Sequence, residues 1–175
     1  MHGRGMGFMV DGNLQGLNIL IVEDNIHFRT LLTTILKHGG VSEIREVDNG
    51  DDALEVLQGF NADLAIVDWK MEGMDGLECV RRIRRDTPLE AEWRKIPVLM
   101  VSSKAGGTLP AMARDAGVND LLPKPISPRT LIGALIEVLE RPTAFIDSSA
   151  YVGPDRRRIQ QDFGGMEKRT ESLSV

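Results

Sequence analysis

Short runs of branched apolar residues alternate along the chain with longer segments in which apolar residues recur every three or four positions. Apolar runs of this length are typical of strands that are buried on both faces of a parallel sheet. The longer pattern is typical of amphipathic helices. The runs predict five strands, at 17–22, 44–47, 62–67, 97–101 and 118–122. The longer segments predict five helices, at 25–38, 51–57, 76–85, 109–116 and 127–140.

Helix-capping residues support these boundaries. Asn25 can cap the first helix, and Ser127 followed by Pro128 is a typical start for the last one. Gly117 follows the fourth helix at the position where a helix commonly ends. Strands that alternate with helices in this way predict an α/β fold with a doubly wound parallel sheet, in which ligands bind beyond the carboxyl ends of the strands.

Composition and charge narrow the class of protein. Of the 175 residues, 42% are hydrophobic and 27% charged, and 21 basic residues against 26 acidic ones give a net charge of -5. This balance does not favour a basic nucleic-acid binder. The single cysteine, Cys79, excludes an intrachain disulfide and is expected to be a small core residue. No apolar run has the length of a membrane span and no signal region is present, so we expect a cytoplasmic protein.

The chain divides into three zones. Residues 1–16 are rich in glycine and are expected to be a flexible leader, residues 17–141 carry the predicted α/β domain, and residues 142–175 form a polar tail that is expected to be loosely ordered. A tail of this length is too short for a separate DNA-binding or catalytic domain. We therefore expect a single domain without direct DNA binding.

Charged and hydroxyl side chains stand where the predicted strands end. They are Glu23 and Asp24 after the first strand, Asp68 after the third, Ser102 after the fourth and Lys124 after the fifth. Three converging carboxylates repel one another unless a cation joins them, and an all-oxygen cluster suits Mg²⁺. A lysine and a hydroxyl suit a phosphoryl group, and a carboxylate can itself be the nucleophile. The residues thus suggest phosphoryl transfer to an aspartate.

The same positions carry the motifs of a known family. The segments ILIVEDN (19–25), AIVDWKMEGMDGLE (65–78), PVLMVSS (97–103) and PKP (123–125) follow in order at the strand ends. Together they resemble the receiver domain of bacterial two-component response regulators, the fold of the chemotaxis regulator. The resemblance covers about residues 17–141 and implies a flavodoxin-like, CheY-like sheet with strand order 2-1-3-4-5.

The resemblance implies a role for each site residue. Asp68 would be the phosphoacceptor, and Ser102 and Lys124 would contact the phosphoryl group. Glu23, Asp24 and Asp68 would hold Mg²⁺ together with the backbone carbonyl of Lys70. The Lys124–Pro125 peptide bond would be cis.

The resemblance also implies partners. A sensor histidine kinase or a phosphotransfer protein would supply the phosphoryl group. A downstream protein would then bind the face made by the fourth helix, fifth strand and fifth helix. The domain would catalyse only its own phosphorylation and dephosphorylation, so it is not expected to be an enzyme. Leu121 stands where the family usually has an aromatic switch residue, which makes switching by ring rotation doubtful.

Other functions remain open at this stage. The tail segment YVGPDRRR (151–158) resembles the arginine-rich tails of some single-domain receivers that bind cyclic di-GMP. Tyr151 would stack on a base, and Arg156, Arg157 and Arg158 would bind phosphates or guanine edges. A second alternative is an interaction module that works without phosphorylation. A flavodoxin-like cofactor protein is disfavoured, because Glu23 and Asp24 would repel a phosphate.

Overall fold

The computed structural model describes residues 14–88, 91–104 and 106–157. The main-sheet strands in this part of the chain are β1 (Asn18–Val22), β2 (Glu43–Val47), β3 (Leu64–Asp68), β4 (Val98–Ser102) and β5 (Asp120–Pro123). The helices are α1 (Ile26–His38), α2 (Gly50–Leu57), α3 (Gly76–Arg85), α4 (Leu109–Ala116) and α5 (Pro128–Glu140). A short 3₁₀ helix (Glu92–Lys95) precedes β4, and two further strands, β6 (Phe145–Asp147) and β7 (Val152–Pro154), follow α5.

The main sheet confirms the predicted topology. All five strands are parallel and lie in the order β2-β1-β3-β4-β5. Val22 at the end of β1 pairs with Val47 of β2 on one side and with Val67 of β3 on the other. This register brings the strand ends to one edge of the sheet, with the α1 and α2 N-termini following directly after β1 and β2.

Side chains alternate between the two faces of the sheet, and each face has its own core. Leu20, Val67 and Met100 point into a core that α2, α3 and α4 cover. Their neighbours Ile21 and Ile66 point into the core under α1 and α5. The central strands β3 and β4 are buried throughout, which is why their sequences are continuous apolar runs rather than alternating ones.

The caps are as predicted. The Asn25 side chain accepts hydrogen bonds from the backbone N–H groups of His27 and Phe28, and Ser127 forms a reciprocal capping box with Thr130. Gly117 ends α4 with a positive φ of 95°. Strand boundaries shift by one or two residues from the predicted ones, because apolar character does not mark where the ladder of hydrogen bonds begins.

The described part of the tail differs from the expectation of loose order. β6 and β7 form an antiparallel hairpin in which Phe145 pairs with Pro154 and Asp147 with Val152. Tyr151, only 5% exposed, is buried by this arrangement. The hydrophobic pattern does not predict the hairpin, because each of the hairpin's strands has only three residues and shows no hydrophobic periodicity.

An ion pair and a close backbone approach are among the contacts that attach the hairpin to the domain. The Arg94 guanidinium in the 3₁₀ helix forms an ion pair with Asp147, with an N–O distance of 2.6 Å. Gly153 lies so close to Gly117 that a Cβ added at Gly153 would stand 2.9 Å from the Gly117 Cα. The backbones of β7 and of the α4 terminus therefore touch where neither residue has a side chain.

A buried arginine fills the space beneath this contact. Arg84 of α3 is 1% exposed, and its guanidinium donates hydrogen bonds to the backbone carbonyls of Gly117 and Arg94 and to the Asn119 side chain. Burial lowers the pKa of Arg84 to about 10. The guanidinium thus joins α3, the 3₁₀ helix and the start of β5 through carbonyl groups.

The first described residues also belong to the fold. Leu14 is fully buried in the core under α1 and α5, and its backbone N–H donates to the Gly39 carbonyl. The expected flexible leader therefore does not include Leu14. The leader's residues 1–13 and the tail's residues 158–175 lie outside the described part of the chain. Among the described helices, none has the length and hydrophobicity that crossing a bilayer requires.

Candidate phosphoacceptor site

The predicted acidic residues converge at the carboxyl edge of the sheet. Glu23 directly follows β1 and Asp68 is the last residue of β3, so parallel pairing of these strands brings their side chains together. Carboxylate oxygens of Glu23, Asp24 and Asp68 lie within 4.8 Å of one another. Glu23 and Asp68 are buried, whereas Asp24 is exposed at the mouth of the cleft.

Lys124 completes the centre of the site. It follows β5, and the cis Lys124–Pro125 peptide bond is present as the resemblance implied. The Lys124 Nζ lies 2.9 Å from Asp68 Oδ1 and 2.9 Å from Glu23 Oε2. Burial by itself would lower the pKa of the ammonium, but the hydrogen bonds to Asp68 and Glu23 outweigh this effect and raise it. Lys124 therefore carries its positive charge in this site.

The two buried carboxylates share that single ammonium. Burial raises the pKa of Asp68 and also the pKa of Glu23, although the hydrogen bond from Lys124 opposes the rise in each case. Three carboxylates face one lysine ammonium at the centre of the cleft, so a further cation at this point would relieve both the desolvation and the mutual repulsion.

The donor set suits a hard divalent cation. Glu23, Asp24 and Asp68 offer only oxygen ligands, and Asn25 and Lys70 also line the cleft. Mg²⁺ binds through one or two carboxylates and keeps several waters, which an open cleft with one exposed carboxylate allows. Asp24 Oδ2 accepts a hydrogen bond from the Glu72 backbone N–H, which fixes its orientation toward the loop after β3.

Ser102 lines the cleft from β4, which lies on the other side of β3 from β1. It is the last residue of β4 and is buried, and it lines the cleft together with Ser103. Its hydroxyl donates to the Lys104 carbonyl and accepts from the Lys104 backbone N–H, at 2.9 and 3.0 Å. The hydroxyl is thus held by its own loop at the edge of the site.

A glycine closes the loop that follows Asp68. The Gly76 N–H donates to the Trp69 carbonyl at 2.8 Å, and a Cβ at Gly76 would collide with the Asp68 carbonyl oxygen. Only glycine permits α3 to begin so near the end of β3. The quoted motif 65–78 contains Gly76, but its close approach to Asp68 could be seen only in three dimensions.

Sequence reasoning missed one aromatic neighbour. The Phe28 ring in the first turn of α1 lies under Lys124, with the Nζ 3.9 Å from the ring centroid. The apolar periodicity of α1 marked Phe28 as a core residue, and it does pack against the core under α1 and α5. Nothing in the spacing signals that the same ring faces a lysine about a hundred residues later in the chain.

The described candidate residues of the tail are paired with the domain and with one another. The Tyr151 ring is buried, its hydroxyl donates to the Pro154 carbonyl at 2.7 Å, and the Arg156 guanidinium covers the ring at 4.1 Å. Arg156 forms an ion pair with Asp115, and Arg157 forms one with Asp155. In this arrangement the hairpin and Arg156 cover the Tyr151 ring, so the stacking of this ring on a base stays a prediction. Arg158 lies outside the described residues.

Leu121, which by the resemblance stands in place of an aromatic switch residue, lies in β5. Its side chain is buried in the core under α2, α3 and α4. It contributes apolar packing to that core and lies apart from the residues that line the cleft.

Comparisons with known proteins identify the family to which the sequence is similar. Residues 19–136 match the response regulator receiver domain family. The chain is 34% identical over 125 residues to the chemotaxis protein CheY of Pseudomonas aeruginosa, which covers 71% of this chain and 98% of that protein. It is 39% identical over 118 residues to the cyclic di-GMP phosphodiesterase response regulator RpfG of Xanthomonas campestris, but covers only 30% of that protein.

Solved structures share the fold. The chemotaxis protein CheY4 of Vibrio cholerae matches with a TM-score of 0.65 and 28% identity, over 70% of this chain and 98% of that one. The receiver domain of a sensor histidine kinase from Pseudomonas aeruginosa, solved with a magnesium ion in its active site cleft, matches with a TM-score of 0.64 and 26% identity, over 72% and 99%. The sheet order, the acidic cleft with its lysine and the matched residues 19–136 together place this chain in the response regulator receiver domain family.

Proposed function

We propose that the protein is a response regulator in which Asp68 accepts a phosphoryl group from a sensor histidine kinase or a phosphotransfer protein. The observation that carries this proposal is the contact between the buried Asp68 carboxylate and the Lys124 ammonium, beside two further carboxylates. A nucleophile, a positive charge and a potential metal site thus lie together at the carboxyl edge of the sheet.

The transfer needs little chemistry from the protein beyond positioning. An Asp68 carboxylate oxygen attacks the phosphorus, the phosphorus–nitrogen bond of the donor phosphohistidine breaks, and the imidazole leaves with that electron pair and takes up a proton. Lys124 then pairs with a phosphoryl oxygen. Ser102 gives up its hydrogen bond to the Lys104 carbonyl and donates to a second phosphoryl oxygen. Hydrolysis returns the Asp68 carboxylate and releases inorganic phosphate.

Mg²⁺ would be held by Asp24, Asp68 and the Lys70 carbonyl, with Glu23 contacting it directly or through water. When bound, it would neutralise negative charge on the phosphoryl oxygens as the new bond forms. The same divalent charge would oppose the repulsion among the three carboxylates. Asp24 is the exposed member of the set and gives the ion a route into the cleft.

The output is proposed to be a protein contact. Phosphorylation would shift the equilibrium between two arrangements of the face made by α4, β5 and α5, and a downstream protein would bind one of them. The folded unit would extend beyond residue 141, because the hairpin of β6 and β7 is packed on α4 and on the 3₁₀ helix. We propose this longer unit in place of a domain that ends at Arg141.

Intact-mass measurement with acetyl phosphate and Mg²⁺ tests the proposed function. The wild type should gain one phosphoryl group, and Asp68→Asn should gain none because the amide is not a nucleophile. Asp86→Asn, an exposed aspartate at the end of α3, is the matched control and should gain the group like the wild type. Chelation of Mg²⁺ should abolish the gain.

Two results would contradict the proposal. Equal mass gain in wild type and Asp68→Asn would place the phosphoryl group elsewhere. No gain from acetyl phosphate or from a panel of histidine kinases, in a folded protein, would favour an interaction module that works without phosphorylation.

A further inference from the structure

The Lys124 ammonium has neighbours on three sides, and only two of them are carboxylates. Glu23 and Asp68 accept its hydrogen bonds, and the third neighbour is the face of the Phe28 ring. The distance of 3.9 Å from Nζ to the ring centroid is well inside the range in which a cation is attracted to the negative face of an aromatic ring.

The position of Phe28 is fixed from two directions. The Asn25 side chain accepts a hydrogen bond from the Phe28 backbone N–H at 3.0 Å, which sets this residue in the first turn of α1. The ring itself packs against the core under α1 and α5. Because backbone and ring are both held, Phe28 presents a rigid surface to a flexible lysine side chain.

We propose that Phe28 is a positioning residue that holds the Lys124 ammonium beside Asp68 and keeps water from one side of it. A lysine has four rotatable side-chain bonds, and two carboxylates alone would leave the ammonium free to move out toward solvent. The ring occupies a third side of the ammonium, with its centroid 3.9 Å from the Nζ, and its attraction adds to that of the two carboxylates. This inference rests on the proposed function for its effect on phosphorylation, but the contact between ring and ammonium is a separate physical fact.

The test uses variants that distinguish the effect of the aromatic face of Phe28 from the effect of its apolar bulk. Phe28→Leu keeps an apolar side chain and removes the aromatic face, whereas Phe28→Tyr keeps the face. Leu31→Ala, an exposed position on the same helix, is the control for general loss of α1 stability. All variants are compared by urea unfolding before they are assayed.

The first readout needs no phosphoryl donor. In ¹H–¹³C NMR spectra, the Lys124 ε-methylene protons should be shifted upfield by the ring current in the wild type and in Phe28→Tyr. The shift should disappear in Phe28→Leu and persist in Leu31→Ala. Loss of the signal in Lys124→Arg assigns it. A wild-type signal at the position of an ordinary lysine would overturn the proposal.

The second readout is the rate of phosphorylation by acetyl phosphate with Mg²⁺. Phe28→Leu should lower the rate about 2- to 10-fold, the factor expected from a cation–ring contact, and Phe28→Tyr should restore it. Equal rates for Phe28→Leu and wild type, or an equal loss in Leu31→Ala, would overturn the positioning role. If the wild type is not phosphorylated at all, the proposed function fails, while the NMR shift still decides whether Phe28 holds Lys124.

Discussion

At the scale of single residues, the site depends on close approaches that only particular side chains permit. Asp68 and Lys124 are both largely buried and are held 2.9 Å apart. Their environment comes from neighbours that carry no chemistry themselves, above all Gly76 and Phe28. Gly76 lies against the Asp68 carbonyl, and the Phe28 ring lies 3.9 Å from the Lys124 Nζ.

Gly76 gives a prediction at this scale. Substitution Gly76→Ala should destabilise the protein by about 1–3 kcal/mol, because the added Cβ collides with the Asp68 carbonyl and the loop after β3 must move. The displacement should also slow phosphorylation at Asp68. Urea unfolding and the acetyl phosphate rate measure the two effects.

The matched control is Gly133→Ala in α5, where nothing lies within 4 Å of an added Cβ. Alanine there should stabilise the helix by about 0.5–1 kcal/mol and leave the phosphorylation rate unchanged. Opposite signs for the two glycines are expected. A neutral Gly76→Ala variant would contradict the close approach.

At the scale of elements, the hairpin of β6 and β7 is attached to the domain by an ion pair whose two side chains differ in solvent exposure. Arg94 is nearly buried, with a side-chain exposure of 5%, whereas the Asp147 side chain is 47% exposed. The hydrogen bond from Arg94 lowers the pKa of Asp147 below its ordinary value of 3.8. The hairpin thus supplies the carboxylate for a buried guanidinium.

This pair predicts an acid-dependent contribution to stability. A carboxyl whose pKa is lower in the folded state stabilises the fold fully above its unfolded pKa, and loses this effect as the pH falls through the folded pKa. The stability difference between wild type and Asp147→Asn should therefore be constant above about pH 5 and shrink as the pH falls below 4. Urea unfolding between pH 6 and pH 3 measures it.

Asp48→Asn, an exposed position after β2 at the opposite edge of the sheet, serves as the comparison. It makes the same chemical change away from the Arg94 guanidinium and so controls for the loss of a carboxylate as such. An Asp147→Asn difference that stays constant down to pH 3 would show that Arg94 does not act on the pKa of Asp147.

At the scale of the whole molecule, the folded unit includes more than the residues that match the family. The match ends at residue 136, yet Tyr151 and Val152 are buried on the domain. Leu14 is buried as well, before the match begins at residue 19. The chain therefore adds packed segments at both ends of the receiver fold.

Truncation tests how far along the chain the folded unit extends. A chain that ends after Arg141 should be less stable than one that ends after Arg157 by about 3 kcal/mol or more. It loses the burial of Tyr151 and Val152 and leaves Arg94 without its carboxylate. Urea unfolding of both chains measures the difference. Equal stability would mean that the hairpin is an independent appendage.

Much of this protein is determined by the sequence alone. The apolar runs and capping residues predicted five strands and five helices, and the residues after the runs predicted which side chains meet. This works because parallel strands that alternate with helices must end at one edge, so Glu23, Asp68 and Lys124 converge whatever the details of packing.

Only the tertiary structure decided the rest. The ring of Phe28 under Lys124, the close approach of Gly76 to Asp68 and the burial of Tyr151 join residues that are distant in the chain or set apart by a loop or turn. No local period encodes such contacts. Tyr151 belongs to a segment that was singled out for its resemblance to cyclic di-GMP-binding tails. The short hairpin that buries it is held by long-range contacts with Arg94, Asp115 and Gly117. Strands of three residues carry too little pattern to predict, and their stability comes from the surface on which they pack.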